Sequence, residues 1–156
     1  MKIVLYHPEI PQNTGNIGRL CVATHTPLIL VRPLGFQIDS KHIRRSGLDY
    51  WQHLDLTLVD SLEEVREKNK ESRLWFLSTK GKVNYTEVSY QQKDILVFGS
   101  EGSGLGPENL EKYADALITI PMWGPVRSLN LSTSVGVVLY EAYRQILFPS
   151  PLVGEG

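Results

Sequence analysis

With 156 residues, 42% of them hydrophobic and 21% charged, the chain has the size and composition of one globular domain with a real core. Its net charge of −1 does not by itself indicate a nucleic-acid-binding protein, and no apolar run approaches the roughly 20 residues of a membrane-spanning helix. The single cysteine, Cys21, excludes an internal disulfide and fits a cytoplasmic location, and its apolar helical surroundings predict a buried structural thiol.

Short apolar runs alternate with helical patterns along the chain. The predicted strands, in chain order, are Lys2–Tyr6, Leu28–Arg32, Leu56–Val59, Arg73–Thr79, Asp94–Phe98 and Ala116–Ile120. The predicted helices are Asn16–His25, Ser40–Gly47, Leu62–Lys70 with Ser61 as its cap, Pro107–Tyr113, and a long amphipathic helix from Leu131. This alternation indicates an α/β fold, a mostly parallel sheet flanked by helices. We expect one domain over residues 1–148 and a flexible C-terminal tail over 149–156.

A glycine-rich loop follows the predicted strand Asp94–Phe98. Ligands of α/β proteins usually bind at the carboxyl ends of strands, and glycines allow the backbone to approach a ligand closely. The loop is only weakly similar to a dinucleotide-binding loop, because it follows a late strand and its glycines have a different spacing. It is not a phosphate-binding P-loop, because no Lys-Ser or Lys-Thr follows. Within it, Glu101 is either a solvated turn residue, a cap for the helix that starts at Pro107, or a group that orients the loop or contacts a ligand.

A second polar loop, from Arg127 to Ser132, precedes the final helix. Ser128, Asn130 or Ser132 is expected to cap that helix, since serine and asparagine are favoured at this position. Leu129 and Leu131 alternate with the small polar residues, which predicts a wall that is apolar on one side and hydrogen-bonding on the other. Such a wall suits an adenosine-like ligand.

Two further segments carry candidate polar contacts. Asn13 or Thr14 could cap the predicted helix Asn16–His25, and Arg19 within it could form either a surface ion pair or an RNA phosphate contact. Residues 1–53 hold six lysines and arginines against three acids, so a basic face compatible with RNA is expected there. The segment Arg44–Trp51 is either a solvated basic turn with core aromatics or an RNA-binding edge. The histidines show no metal-ligand spacing, and we expect no metal.

Taken together, these segments resemble the SPOUT superfamily of RNA methyltransferases. Within it they resemble the tRNA (cytidine/uridine) 2′-O-methyltransferases that act on the wobble nucleotide, position 34. Each piece is short, but all occur in the expected order from Ile3 to about Leu147, so the joint match is highly specific. The residues that carry it are Tyr6 to Asn16, Arg19, Pro33 to Phe36, Arg44 to Tyr50, Phe98 to Leu105, Ile120 to Met122, and Arg127 to Ser132.

The resemblance implies a SPOUT fold with a C-terminal trefoil knot, S-adenosyl-L-methionine as cofactor, and a homodimer with the site at the interface. It also implies the anticodon region of tRNA as the partner, in the cytoplasm, with no membrane and no metal. The positions that match cofactor-binding residues are Leu77, Gly99, Glu101, Ile120, Met122, Ser128, Leu129 and Asn130. The matching catalytic positions are Arg19, supported by Asn13, Glu101, Ser128 and Asn130, and the RNA-binding positions are Arg19, Arg44, Arg45 and Tyr140.

The expected chemistry is attack of a ribose 2′-hydroxyl on a sulfonium methyl group, accelerated mainly by alignment and exclusion of water. An arginine normally stays protonated, so we expect Arg19 to activate or orient the hydroxyl, and its acting as the base is left open.

Two other functions are compatible with this sequence: a ribosomal RNA 2′-O-methyltransferase and a non-catalytic RNA-binding protein of the same fold. The segment Arg44–Tyr50 favours tRNA, and intact Arg19, Ser128 and Asn130 favour catalysis. A nicotinamide-dependent oxidoreductase is supported only by the glycines.

Overall fold

The structure is a computed structural model that describes residues 1–38, 43 and 50–149. Its strands are β1 (Lys2–Tyr6), β2 (Leu28–Val31), β3 (Leu56–Val59), β4 (Leu74–Leu77), β5 (Val83–Asn84), β6 (Ile95–Phe98) and β7 (Leu117–Thr119). Its helices are α1 (Pro11–Ala23), α2 (Leu62–Lys68), α3 (Pro107–Lys112) and α4 (Leu131–Leu147), with short 3₁₀ turns at Trp51–His53, Tyr85–Glu87 and Ala114–Ala116.

The seven strands form one sheet in the order β3-β2-β1-β6-β4-β7-β5, and every pairing between them is parallel. The central strands β1, β2 and β6 are buried on both faces, which explains why their sequences are almost uninterrupted apolar runs. The predicted α/β fold with a mostly parallel sheet is confirmed.

Two hydrophobic cores lie on opposite faces of this sheet, because successive strand residues point to opposite sides. Ile3 and Leu5 face the core that includes residues of α1 and α4, and Val4 between them faces the core that includes residues of α2 and α3. Cys21 is buried in the first core, and burial raises the pKa of its thiol to about 12, so the predicted structural role is supported.

Helix α1 begins five residues earlier than the sequence pattern predicts. The predicted helix is present, but its predicted start at Asn16 and its capping by Asn13 or Thr14 are wrong, since Asn13 and Thr14 lie inside α1 and are buried. Pro11 occupies the first helical turn, where its missing N–H costs nothing, and Ile10 is the N-cap without a side-chain hydrogen bond of its own. The side chain that accepts hydrogen bonds from the backbone just before Pro11 comes from a distant part of the chain, so the local sequence pattern does not contain it.

The remaining elements follow the predictions closely. Their bounds differ by one or two residues at the ends, where helices and strands fray, and the oxygen of Ser61 accepts a hydrogen bond from the Glu64 N–H as the cap of α2. The predicted helix Ser40–Gly47 lies outside the described residues except for Ile43, which is buried. The two-residue strand β5 was not predicted, because it is too short to show an apolar pattern.

The C-terminal strand β7 lies between β4 and β5, two strands that follow each other in the chain. The connection from β4 to β5 therefore passes across the end of β7, and it does so in close contact. A Cβ on Gly81 would stand only 2.7 Å from the carbonyl carbon of Ile118, so only glycine fits there without a shift. This crossing is compatible with the expected trefoil knot, which stays a prediction.

Candidate functional site

A cavity of about 510 Å³ opens at the carboxyl edge of the sheet, where the loops after β4, β6 and β7 meet. This volume is in the range of small-molecule sites. Apolar side chains form part of its wall, and polar groups from three loops and from α1 line the rest. All eight positions that the resemblance matched to cofactor binding line this cavity: Leu77, Gly99, Glu101, Ile120, Met122, Ser128, Leu129 and Asn130.

The glycine-rich loop is folded back on itself at the cavity wall. Ser100 and Gly104 exchange two backbone hydrogen bonds of 3.0 Å, which close a tight turn. Gly104 and Gly106 have positive φ angles of 63° and 81°, a region that side chains disfavour. A Cβ on Gly99 would lie 2.3 Å from the carbonyl carbon of Gly104. The glycines are therefore required by the turn itself, whatever ligand the cavity binds.

Glu101 binds the backbone just before α1 and does not cap α3. Its carboxylate accepts hydrogen bonds from the backbone N–H groups of Glu9, at 2.9 Å, and Ile10, at 2.7 Å. A negative charge is favourable at this end of a helix, where the N–H groups lack partners. The interpretation of Glu101 as a cap for the helix at Pro107 is wrong, because Gly106 begins α3 without any side-chain cap.

Three polar side chains from distant parts of the sequence form a continuous hydrogen-bonded chain. The Asn130 amide donates to Asn13 Oδ1 at 3.1 Å, and the Asn13 amide donates to Glu101 Oε2 at 3.3 Å. Because Asn13 lies on α1, the chain ties this helix to the loops after β6 and β7. The structure thus brings together three of the predicted catalytic residues, and their chemical roles stay predictions.

Asn130 also caps α4, which confirms that one of the three polar residues before this helix does so. Its side-chain oxygen accepts hydrogen bonds from the backbone N–H groups of Ser132, at 2.9 Å, and Thr133, at 3.3 Å. Since its amide group is directed to Asn13, Asn130 fixes both the start of α4 and its position against α1. Ser128, the fourth predicted catalytic residue at the cavity, lies in the exposed loop just before.

Arg19 does not line the cavity. It lies six residues beyond Asn13 on α1, which is about 9 Å along the helix axis, and its side chain is exposed. The guanidinium carbon stands 5.1 Å from the centre of the Tyr50 ring, a cation–π distance. Within one chain, Arg19 is therefore near the cavity but outside it.

The other predicted RNA-binding residues are less informative. Arg44 and Arg45 lie outside the described residues. Tyr140 is on the outer side of α4, 57% exposed, and does not line the cavity.

Several cavity residues were missed by sequence reasoning. They come from the segment after β4 and from the starts of the two helices: Ile10, Ser78, Thr79, Lys80 and Ser134. The position of Ser78, Thr79 and Lys80 directly after a predicted strand was a usable signal, since strand ends at the carboxyl edge are where ligands bind.

His7, at the end of β1, has an unusual environment. Its φ angle of 50° is left-handed, and its ring stacks on Tyr6 with 3.7 Å between centroids. Partial burial lowers the pKa of its imidazole. Both rings line a second hollow of about 390 Å³, on the other side of the glycine-rich loop.

Two features are absent from the described part of the chain. Among residues 1–38, 43 and 50–149, no group of three or more His, Cys, Asp or Glu side chains is placed to hold a metal ion. Over the same residues, no helix has both the length and the apolar character needed to cross a membrane.

Comparisons with known proteins agree with this geometry. The family model described as SpoU rRNA Methylase family matches residues 1–140. A tRNA (cytidine(34)-2′-O)-methyltransferase of Escherichia coli (strain K12) is 44% identical over 156 residues, covering 99% of each chain. A solved structure described as giving structural insights into the 2-OH methylation of C/U34 on tRNA superimposes with a TM-score of 0.89. Its identity is 46%, and the match covers 94% of this chain and 95% of that one.

A more distant structure shows the same fold with its cofactor. The SpoU methyltransferase AviRb from Streptomyces viridochromogenes, in complex with AdoMet, has a TM-score of 0.83 and 25% identity, over 96% of this chain and 59% of AviRb. The predicted resemblance is therefore confirmed. The chain belongs to the SpoU rRNA methylase family and, within it, to the group of the tRNA (cytidine(34)-2′-O)-methyltransferases.

Proposed function

We propose that this chain is an S-adenosyl-L-methionine-dependent methyltransferase that modifies the ribose 2′-hydroxyl of nucleotide 34, the wobble position, in tRNA. One observation carries the proposal. The relatives that match this chain over nearly its full length carry this activity in their names. In this chain, all eight positions that match cofactor-binding residues line the same cavity. Both the relatives and the geometry therefore support the same reaction.

The cavity suits S-adenosyl-L-methionine in size and chemistry. Leu77, Ile120, Met122 and Leu129 offer apolar surface to a flat base, and backbone groups of the glycine-rich loop are accessible beside them. Of the described residues that line the cavity, Glu101 alone is acidic, and three donors already occupy its carboxylate. When bound, the cofactor would supply the methyl group.

The chain's own residues then position the RNA hydroxyl. The hydrogen-bonded chain of Asn130, Asn13 and Glu101 fixes the loops around the cavity, so the walls are ordered before substrate binds. Arg19 donates hydrogen bonds to the RNA, to the target hydroxyl or to a neighbouring phosphate, because a guanidinium has donors only. Ser128 and Asn130, at the cavity wall, add further hydrogen-bonding groups.

We also propose that the working form is a homodimer. Large apolar side chains are exposed on the loop after β7 and on α4: Trp123, Val126, Leu129, Tyr140, Leu147 and Phe148. Exposed apolar side chains grouped in this way are typical of protein interfaces. A second copy on this face would lie beside the cavity, since Leu129 lines it. Because the substrate is tRNA, we place the protein in the cytoplasm.

The similar proteins favour tRNA over ribosomal RNA as the substrate. The relative from Escherichia coli and the C/U34 structure, 44% and 46% identical to this chain, are both described by position 34 of tRNA. These similarities support tRNA, although the family model is named for rRNA methylases.

Purified protein tests the proposal directly. Incubation with S-adenosyl-L-methionine and unmodified tRNA should produce 2′-O-methylation at nucleotide 34, read by nuclease mapping and mass spectrometry. Arg19→Ala should abolish the reaction and leave cofactor affinity within about twofold, because Arg19 lies outside the cavity. Methylation of ribosomal RNA in place of tRNA would contradict the substrate assignment, and loss of cofactor binding would contradict the role of Arg19.

A further inference from the structure

Most lysine and arginine side chains among the described residues already have a hydrogen-bond, ion-pair or ring partner. Those without one are distributed unevenly between the two edges of the sheet. Among the described residues, only four lysine or arginine side chains make no hydrogen bond, ion pair or ring contact: Lys70, Lys80, Lys82 and Arg127. Lys70 precedes β4 at the amino edge of the sheet. The other three lie on the loops at the carboxyl edge, beside the cavity.

Lys80 and Lys82 belong to the connection between β4 and β5. Lys80 lines the cavity, and both lysines are exposed. Arg127 is exposed on the loop after β7, directly before Ser128 and Leu129, which line the same cavity. Lys80 therefore lines the cavity, Lys82 and Arg127 are within two residues in sequence of side chains that line it, and none of the three is paired with an anion among the described residues.

The loop that carries the two lysines is held against β7. The Ser78 N–H donates to the Ile118 carbonyl at 3.0 Å, and the Gly81 N–H donates to the Ser78 carbonyl at 3.1 Å. The Lys80 N–H donates to the Ser78 hydroxyl at 3.1 Å. Gly81 itself packs on the backbone of Ile118 with no room for a side chain. The positions from which both lysines project are thus fixed before any ligand arrives, which lowers the entropy lost on binding.

We propose that Lys80 and Lys82, together with Arg127, form a phosphate-binding site for the RNA strand next to the methylated nucleotide. This proposal rests on the proposed function and adds the residues that hold the strand at the cofactor cavity. Lysine and arginine contacts to phosphates position a nucleic acid without reading its bases, which suits an enzyme that must align one ribose. Unpaired cations around a reaction site also attract a polyanion over several ångströms.

The test compares tRNA binding by wild-type protein and by the double variant Lys80→Gln, Lys82→Gln over a range of salt concentrations. Each phosphate contact to a single strand contributes about 0.7 to the slope of log K against log salt. The double variant should therefore reduce the magnitude of that slope by about 1.4 and raise the Kd for tRNA about 20-fold at about 0.1 M salt. Lys80→Arg with Lys82→Arg should restore both values.

Lys70→Gln is the control, because it removes one positive charge, half of the change in the double variant, from an exposed lysine at the opposite edge that has no partner among the described residues. It should leave the salt slope and the Kd for tRNA unchanged. The Kd for S-adenosyl-L-methionine, measured by calorimetry, should be the same in wild-type protein and Lys70→Gln, and any change in the double variant should be smaller than its about 20-fold change in the Kd for tRNA.

Two results would overturn the phosphate site while wild-type protein methylates nucleotide 34. The first is an unchanged salt slope in the double variant. The second is weaker cofactor binding with unchanged tRNA binding, which would assign Lys80 to the cofactor's carboxylate. Failure of the wild-type protein to methylate tRNA would instead refute the proposed function. In that case, the phosphate site would also be refuted if the double variant and wild-type protein bound an RNA with the same salt slope.

Discussion

Arg19 lies over the ring of Tyr50 on the exposed side of α1. Gly18 leaves space for the Trp51 ring, and a Cβ there would come within 2.9 Å of Trp51 Cζ3. The 3₁₀ turn that begins at Trp51 can therefore dock on α1, and the preceding residue, Tyr50, presents its ring to the Arg19 guanidinium. The long, flexible Arg19 side chain is restricted in this way without an ion pair to any residue that the structure describes, so its donors stay available for RNA.

Removal of the Tyr50 ring should weaken catalysis without affecting cofactor binding. Tyr50→Leu removes a cation–π contact worth about 0.5–1 kcal/mol at an exposed site, so we expect kcat to fall about two- to fivefold. Tyr50→Phe keeps the ring face and should retain nearly full kcat, provided that thermal melting shows equal stability. Equal kcat values for the leucine and phenylalanine variants would show that the ring does not position Arg19.

His7 should make stability depend on pH. Burial lowers the pKa of the folded imidazole below its ordinary 6.5, so below that pH the unfolded chain binds a proton that folded His7 resists. The contribution of His7 to the free energy of unfolding is therefore fully present above about pH 6.5 and is lost as the pH falls. His7→Asn keeps a residue that tolerates the left-handed backbone but cannot titrate.

We expect the wild-type melting temperature to fall more than that of His7→Asn between about pH 8 and about pH 5.5. Differential scanning calorimetry of both proteins in the same buffers measures this difference. Parallel curves for the two proteins would contradict the assignment.

At the scale of elements, the start of α1 shows where sequence reasoning reached its limit. Pro11 marks the first turn of α1. The backbone N–H of the residue before it donates to Glu101, about ninety residues later, and no local pattern contains that pairing. By contrast, Asn130 caps α4 two residues before the helical N–H groups it satisfies, and the sequence predicted such a cap. Local hydrogen bonds were predictable, whereas the tertiary ones that join the cavity loops were not.

Glu101→Gln should destabilise the fold as well as the site. A glutamine has one acceptor oxygen, no charge and an N–H₂ group that faces backbone donors, so we expect a loss of about 1–3 kcal/mol in unfolding free energy. Urea denaturation measures it, with Glu108→Gln as the control, since Glu108 is exposed in the first turn of α3. A variant with wild-type stability and no activity would show that Glu101 acts on the substrate and not through α1.

At the scale of the whole molecule, strand alternation predicted the parallel sheet, but the place of β7 required the structure. β5 has two residues, and β7 pairs with both β4 and β5, so the crossing of the β4–β5 connection depends on a strand that no pattern reveals. Because local patterns do not reveal this topology, the cavity residues were predicted from the resemblance to a known family. Short motifs that are far apart in the chain become one site only through this topology.

The assembly is also testable on the intact protein. We expect sedimentation at micromolar concentration to give twice the chain's 17.6 kDa, because the apolar side chains on α4 and on the loop after β7 need a partner. A stable monomer with full methyltransferase activity would contradict the proposed homodimer.

The central claim is the modification of nucleotide 34 in tRNA, and cells provide its most direct measurement. Nucleoside mass spectrometry of tRNA from cells with and without this gene should show 2′-O-methylation at position 34 only when the gene is present. Wild-type protein should restore it, and Arg19→Ala should not. Unchanged 2′-O-methylation at position 34 after loss of the gene would contradict the account.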